Sequence, residues 1–235
     1  MISSKFKNVI KKIIQANYDF NKFDLNIKNG VYLRFDVDVS INNALLISKY
    51  LKKKNIYGNF FFQPNNEIYN IFNPRNKEII NEIYDSGHLI GLHIDEKFFS
   101  IKEKNILNIL NFFKKNGYLF SNVISFHRPS KKVLKKKYRL LINTYDRNFF
   151  NKNTYLSDSG KNKFFLKKID NFLSIKNNTI QILMHPIWWT RVTNIKEIYS
   201  ELIKNNNFNL NNYLLKNFPK VFLNIVPKKK YLPKL

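Results

Sequence analysis

Residues 31–40 read VYLRFDVDVS, and this stretch decides the fold. Val31, Leu33 and Phe35 alternate with Tyr32 and Arg34, the period of a strand, and Ser40 then opens a helical pattern as an N-cap. Asp36 and Asp38 therefore stand at a strand's C-terminal end. In α/β folds that end is where loops gather ligands and catalytic groups. Two carboxylates one residue apart can divide the work of metal ligand and general base there, although a D-x-D is also an ordinary turn-forming pair.

Working outward, strands and helices alternate. Upstream, Phe6, Val9, Ile10, Ile13 and Ile14 recur at helical spacing among lysines, so segment 1–25 holds a basic amphipathic helix that docks on the domain or closes its bottom; an anionic membrane surface is the rival partner. Downstream, the pattern predicts a helix over Ile41–Lys54 and a buried strand over Tyr57–Gln63. Asn73 and Pro74 start a second helix that Gly87 stops, and HLIGLHID forms a third strand. Ser100 and Glu103 form a capping box for a helix ending at Gly117, and VISFHRPS is a fourth strand. Leu140–Tyr145 and Thr154–Ser157 are short strands, with Asp158 and Gly160 in a turn. Thr179–Met184 is a buried strand leading into His185, Asn194 and Glu197 cap a last long helix, and 219–235 is a basic surface tail. The alternation argues for one α/β domain spanning 1–235, a distorted (β/α)7-type barrel.

Composition narrows the chemistry. With no cysteine, any metal must be held by His, Asp or Glu. The net charge of +25 would ordinarily point to nucleic acid or a membrane. Here the lysines are scattered and Asn, Ile and Phe are also abundant, as an AT-rich genome imposes, and no RNA-binding or helix-turn-helix pattern is visible. The N-terminal stretch lacks a continuous apolar core, and no window suits a membrane span, so the chain reads as cytoplasmic.

Of four histidines, His93, His127 and His185 fall at predicted strand C-termini, and His88, at a strand's beginning, reads as a structural hydrogen-bonder. Asp36, Asp38, Asp95 and Asp158 fall at strand ends or in the following turns. One face thus collects nearly every group capable of acid-base or metal chemistry. In order, RFDVDVS, GHLIGLHID, SFHRPS, SDSG and ILMHP resemble the five motifs of the polysaccharide deacetylases, carbohydrate esterase family 4. That resemblance, from about Val31 to Trp189, implies a distorted β/α barrel and metal-dependent removal of acetyl groups from N-acetylated sugars, the metal commonly being zinc. It implies Asp36 as general base, Asp38 and His93 as ligands, Arg128 as the residue orienting the base, His185 as general acid and Asp158 as its tuner.

Two departures from the pattern matter. Lys97 stands where the family usually has a second histidine, so the third ligand falls to His127 or Asp95. His127 would complete a His₂Asp set and leave a more electrophilic ion, whereas Asp95 would add a negative charge and favour harder metals. The third motif reads HRPS, with proline directly after arginine. Trp188 and Trp189, beyond the acid, either stack on a sugar ring or pack in the core. The expected substrate is a soluble activated sugar or a lipid-linked glycan precursor. The rival readings are a degenerate sugar-binding scaffold on the same fold and, last, a charge-driven nucleic-acid or membrane binder.

Overall fold

The computed structural model describes residues 1–134, 136–151, 153–159, 165–174, 179–190 and 194–223. Its seven strands are β1 (Gly30–Val37), β2 (Asn59–Phe62), β3 (Leu89–Asp95), β4 (Val123–His127), β5 (Ile142–Asn143), β6 (Tyr155–Ser157) and β7 (Thr179–Met184). They form one sheet in the order β5-β4-β3-β2-β1-β7-β6, and every pairing is parallel. The first strand therefore lies between the second and the seventh. The sheet is curled and its edges β5 and β6 do not pair. Segment 144–150 fills the opening: Gln181 Nε2 on β7 donates to the carbonyls of Thr144 (2.8 Å) and Phe149 (2.9 Å), and the Phe150 and Tyr155 rings meet at 4.8 Å. The expected (β/α)7-type barrel is thus a distorted one, closed by side chains instead of a last ladder.

The period of two sorts the strands' residues into two cores. Val31, Leu33, Phe35, Phe60, Phe62, Ile90, Leu92, Ile94, Ile180 and Ile182 face outward into one large cluster with the helices. Those helices are α1 (Ser4–Gln15), α2 (Ile41–Lys52), α3 (Pro74–Asp85), α4 (Glu103–Lys115), a single turn α5 (Lys131–Leu134) and α6 (Phe165–Leu173). On the inner face Tyr32, Phe61, Leu89 and Val123 pack with Phe23 and Phe149 as an apolar plug at the strands' N-terminal end.

Of segment 1–25, the helix occupies only α1. The Ser3 hydroxyl caps it by accepting from the Phe6 N–H, and Phe6 packs against Phe35, Tyr50 and Trp189. The helix thus docks on the outer face, and the stretch after it closes the bottom through Phe23. Ser40 and Asn73 cap α2 and α3 as their sequence predicts. The capping box at Ser100 and Glu103 does not form. Lys102 is the N-cap without a side-chain bond, because Glu103 instead accepts from the Leu140 N–H and Ser100 from the Lys102 N–H.

The chain divides into two compact units, Met1–Arg191 and Val192–Leu235. All seven strands belong to the first, to which the single-barrel reading applies. The second contains α7 (Ile195–Asn217), capped by Asn194, and the short α8 (Pro219–Phe222). Gly160 and the basic run of the tail lie outside the described residues. Among the described residues no helix is long and apolar enough to cross a membrane.

Candidate active site

Asp36 is the third inward residue of β1, after Tyr32 and Arg34, and it is buried at the C-terminal end of the sheet. Arg34, fully buried one inward step below, grips it with two hydrogen bonds: Nε to Oδ1 at 2.9 Å and Nη2 to Oδ2 at 2.7 Å. The guanidinium is fixed in turn by Gln181 Oε1 (3.2 Å) and the Tyr145 hydroxyl (2.9 Å). Burial alone would raise the Asp36 carboxyl, but the charge of Arg34, then of His93, outweighs it and holds the group below the usual carboxylate range. The resemblance implies Arg128 as the residue that orients Asp36; in the structure the arginine hydrogen-bonded to Asp36 is Arg34. The reason is geometric, because residues i and i+2 of a strand share a face and an arginine spans one such step.

Asp38 sits just past β1 and is held by the loop after β2. Gln63 Nε2 donates to Asp38 Oδ1 at 3.0 Å, and Asn66 Nδ2 donates to the Asp38 carbonyl at 2.7 Å. Burial raises its carboxyl too, yet the hydrogen bond and charge of His93, followed by those of His185 and His127, lower it on balance. His93 on β3 reaches across: Nε2 lies 3.3 Å from Asp38 Oδ1 and 3.5 Å from Asp36 Oδ2, while Nδ1 bonds Ser125 Oγ on β4 at 2.5 Å. Gly91, beneath His93 on the same face, allows this packing. A Cβ there would strike the Val123 carbonyl oxygen and come within 2.8 Å of the Phe61 ring.

His185, directly after β7, bonds Asp158 through Nδ1 at 2.5 Å and turns Nε2 toward Asp38 Oδ2 at 3.5 Å. Asp158 is buried and also accepts from the His185 N–H (2.9 Å) and from Trp189 Nε1 (2.5 Å). Burial would lower the imidazole's pKa, but the bond to Asp158 and the charges of Asp158, Asp36 and Asp38 lift it to about 9. These acids favour the protonated form of the His185 ring. Trp189 belongs to the core, between Phe6 and Phe165, and Trp188 lines the cavity.

The two candidates for the third ligand are bonded to each other. His127 lines the cavity 5.4 Å from the His93 ring, and its Nδ1 lies 3.2 Å from Asp95 Oδ2. The other Asp95 oxygen accepts from the Lys97 N–H. Arg128 lines the same cavity at a positive φ of 48°. Far from these, His88 is structural: Nδ1 accepts from the Gly58 N–H and Nε2 faces the Ser48 carbonyl.

These residues surround a cavity of about 280 Å³. Among the described residues no three of His, Asp and Glu are already drawn into a metal-binding cluster. Asp38 Oδ1 and His93 Nε2, one oxygen and one nitrogen, face each other at 3.3 Å. Ser125 Oγ lies 3.3 Å from Asp36 Oδ1 and 2.5 Å from His93 Nδ1, which fixes the ring so that Nε2 faces the carboxylates of Asp36 and Asp38. Sequence reading missed Arg34, Ser125, Gln63, Tyr145 and Gln181. For Arg34 a signal existed, its place two residues before Asp36; the others meet the site only through strand order.

No family model and no curated protein matches the chain. Solved structures do. The chitin deacetylase of Colletotrichum lindemuthianum is 15% identical over 74% of this chain and 81% of its own, with a TM-score of 0.43. The peptidoglycan deacetylase PdaC of Bacillus subtilis is 15% identical over 83% of this chain and 100% of its own, also at 0.43. A pseudoenzyme of carbohydrate esterase family 4 from Bacillus anthracis is 14% identical over 74% of this chain and 60% of its own, at 0.43. The structures this chain is similar to include both deacetylases and a pseudoenzyme.

Proposed function

We propose that the chain is a metal-dependent hydrolase that removes an acetyl group from an N-acetylated sugar or glycan precursor. The observation that carries this reading is the convergence, at one end of the sheet, of a carboxylate clamped by Arg34 (Asp36), a second carboxylate beside an imidazole (Asp38 and His93) and an imidazole held by a buried aspartate (His185 and Asp158). The five motifs in their order support it. Asp38, His93 and His127 would hold the ion, most suitably zinc, with Asp95 and Ser125 fixing the two rings through their other nitrogens. When bound, such an ion supplies Lewis-acid polarisation and an acidified water.

The chain's own residues do the rest. Asp36, kept charged by Arg34, accepts the proton of the attacking water. His185 gives its Nε2 proton to the departing amine, while Asp158 fixes the ring through Nδ1 and stabilises its charge. Trp188 offers an apolar wall to the sugar ring.

Release of acetate and free amine from N-acetylglucosamine oligomers, with bound zinc counted on the same preparation, tests the proposal. Asp36→Asn should keep its metal and lose roughly 10²–10⁴-fold in rate, the usual worth of a general base. His185→Ala should keep the metal and lose most on amides with poor leaving groups. Metal loss in His127→Ala supports the ligand assignment; loss in Asp38→Asn but not in His127→Ala would move the third ligand elsewhere. A second reading, a sugar-binding scaffold with a decayed site, is favoured by Lys97 at the second-histidine position. It predicts no stoichiometric zinc and no acetate.

A further inference from the structure

Arg128 is left without the task that its motif assigns to it. Asp36 already takes a bidentate bond from Arg34, a buried guanidinium with partners at Gln181 and Tyr145. Arg128 is exposed, lines the cavity, and among the described residues pairs with no carboxylate. Its backbone holds φ at 48°, a conformation that glycine or asparagine adopts with less strain. It follows β4, three strands along the sheet from β1, which leads to the Asp36 and Asp38 carboxylates. The exposed Lys131 and Lys132 come three and four residues later. Glu96 is the acid nearest in the bonding pattern, and it is occupied by the N–H and hydroxyl of Ser130. The cavity thus has two carboxylates, Asp36 and Asp38, and one guanidinium, Arg128, in its lining.

We propose that Arg128 determines specificity by binding the phosphoryl group of a glycosyl phosphate whose acetamide lies at Asp36 and Asp38. This rests on the hydrolytic reading and narrows its substrate to sugars carrying an anionic phosphoester. A planar guanidinium with five donors matches phosphate oxygens in a fork, and the cavity of about 280 Å³ that Arg128 shares with Asp36 and Asp38 can take a sugar. A nucleotide-linked and a lipid-linked sugar share this chemistry.

The test uses the zinc-loaded full chain with N-acetylglucosamine 1-phosphate, UDP-N-acetylglucosamine, a short polyprenyl-diphosphate N-acetylglucosamine and, as the neutral control, methyl N-acetylglucosaminide. The phosphorylated sugars should exceed the control by about tenfold or more in kcat/KM, through KM, the scale of one charge-assisted contact. Whichever linked sugar is preferred names the source. Arg128→Ala should erase that ratio and Arg128→Lys should restore part of it. Arg128→Gly should erase it while leaving thermal stability equal or higher, since glycine suits the backbone. An equal fall in kcat on charged and neutral sugars would return Arg128 to orienting Asp36 and overturn the proposal, as would a loss of stability in Arg128→Gly. Binding to Asp36→Asn separates this inference from the reading beneath it. Phosphate-dependent binding that needs Arg128, without turnover in the wild type, keeps the subsite and sinks the hydrolase. Turnover without discrimination does the reverse.

Discussion

Tyr32, Leu89 and Val123 lie in the apolar plug, and four residues further along the same three strands stand Asp36, His93 and His127. Over about 13 Å of strand the inner face passes from hydrocarbon to ionisable groups. Between them lies a middle layer of Arg34, Gly91 and Ser125, joined by Gln181 from β7. That layer joins one chemistry to the other: Arg34 bonds the Asp36 carboxylate above, Ser125 bonds the His93 imidazole, and Gln181 bonds Arg34. Two histidines make the same contrast. His88, at the beginning of β3, is buried against backbone partners, and burial followed by the charges of Lys22 and Lys52 outweighs its bond to Ser48 to push its pKa down to about 4. His185, at the opposite end, is lifted to about 9 by Asp158 and the other acids. The neighbours set the direction: burial and two lysines lower His88, and three aspartates raise His185.

The sharpest way to break this layering is to remove its middle. Arg34→Met leaves Asp36 buried and uncompensated, and should cost roughly 3–5 kcal/mol in urea unfolding at neutral pH. A loss below about 1 kcal/mol, the range of exposed pairs, would show that water reaches this layer. At the bottom, His88 gives the next largest effect. Its folded pKa lies below its unfolded value, so the unfolded chain binds the proton first as pH falls. Its contribution is complete above pH 6.5, is lost between pH 6.5 and 4, and does not change further below 4. The loss is roughly 3 kcal/mol in all, at about 1.36 kcal/mol for each pH unit that separates the folded from the unfolded value. Chemical denaturation across that range in the wild type and His88→Gln should show the slope in the first and a flatter curve in the second.

At the upper end, Asp95→Asn should weaken zinc binding by about 10–100-fold without abolishing it, as expected for the partner of a ligand. Competition with a chelator reads this directly. Complete loss would make Asp95 itself the ligand. The smallest effect belongs to the junction of the layers. Gly91→Ala places a methyl against the Val123 carbonyl and the Phe61 ring, for about 1–3 kcal/mol of overpacking. A change in the His93 imidazole signals by NMR should accompany it, since the two side chains share one face of β3. If the unfolding midpoint falls while His93 is unmoved, the plug and the site are less coupled than their adjacency suggests.

Local rules made much of this legible. The alternation in VYLRFDVDVS gave β1, and Ser40 and Asn73 began their helices where the sequence places them. His93, His127 and His185 reached strand ends because a strand's length and face follow from a period of two, which depends on near neighbours alone. The bounds of the short elements were harder to read: β5 keeps only Ile142–Asn143 of the stretch from Leu140 to Tyr145. The box at Ser100 and Glu103 failed because a distant N–H, that of Leu140, competed for the carboxylate.

By itself, then, the sequence determined the strands, the caps of α2, α3 and α7 and the end of the sheet at which the ionisable groups collect. Only the tertiary structure decided which groups meet. His93 reaches Asp38 from β3, His127 and Asp95 answer each other, and Asp158 gathers three donors from the chain around His185. The physical reason is the order of the strands. β1 lies between β2 and β7, so the partners of its carboxylates come from residues up to about 150 positions away, a separation across which no periodicity carries information.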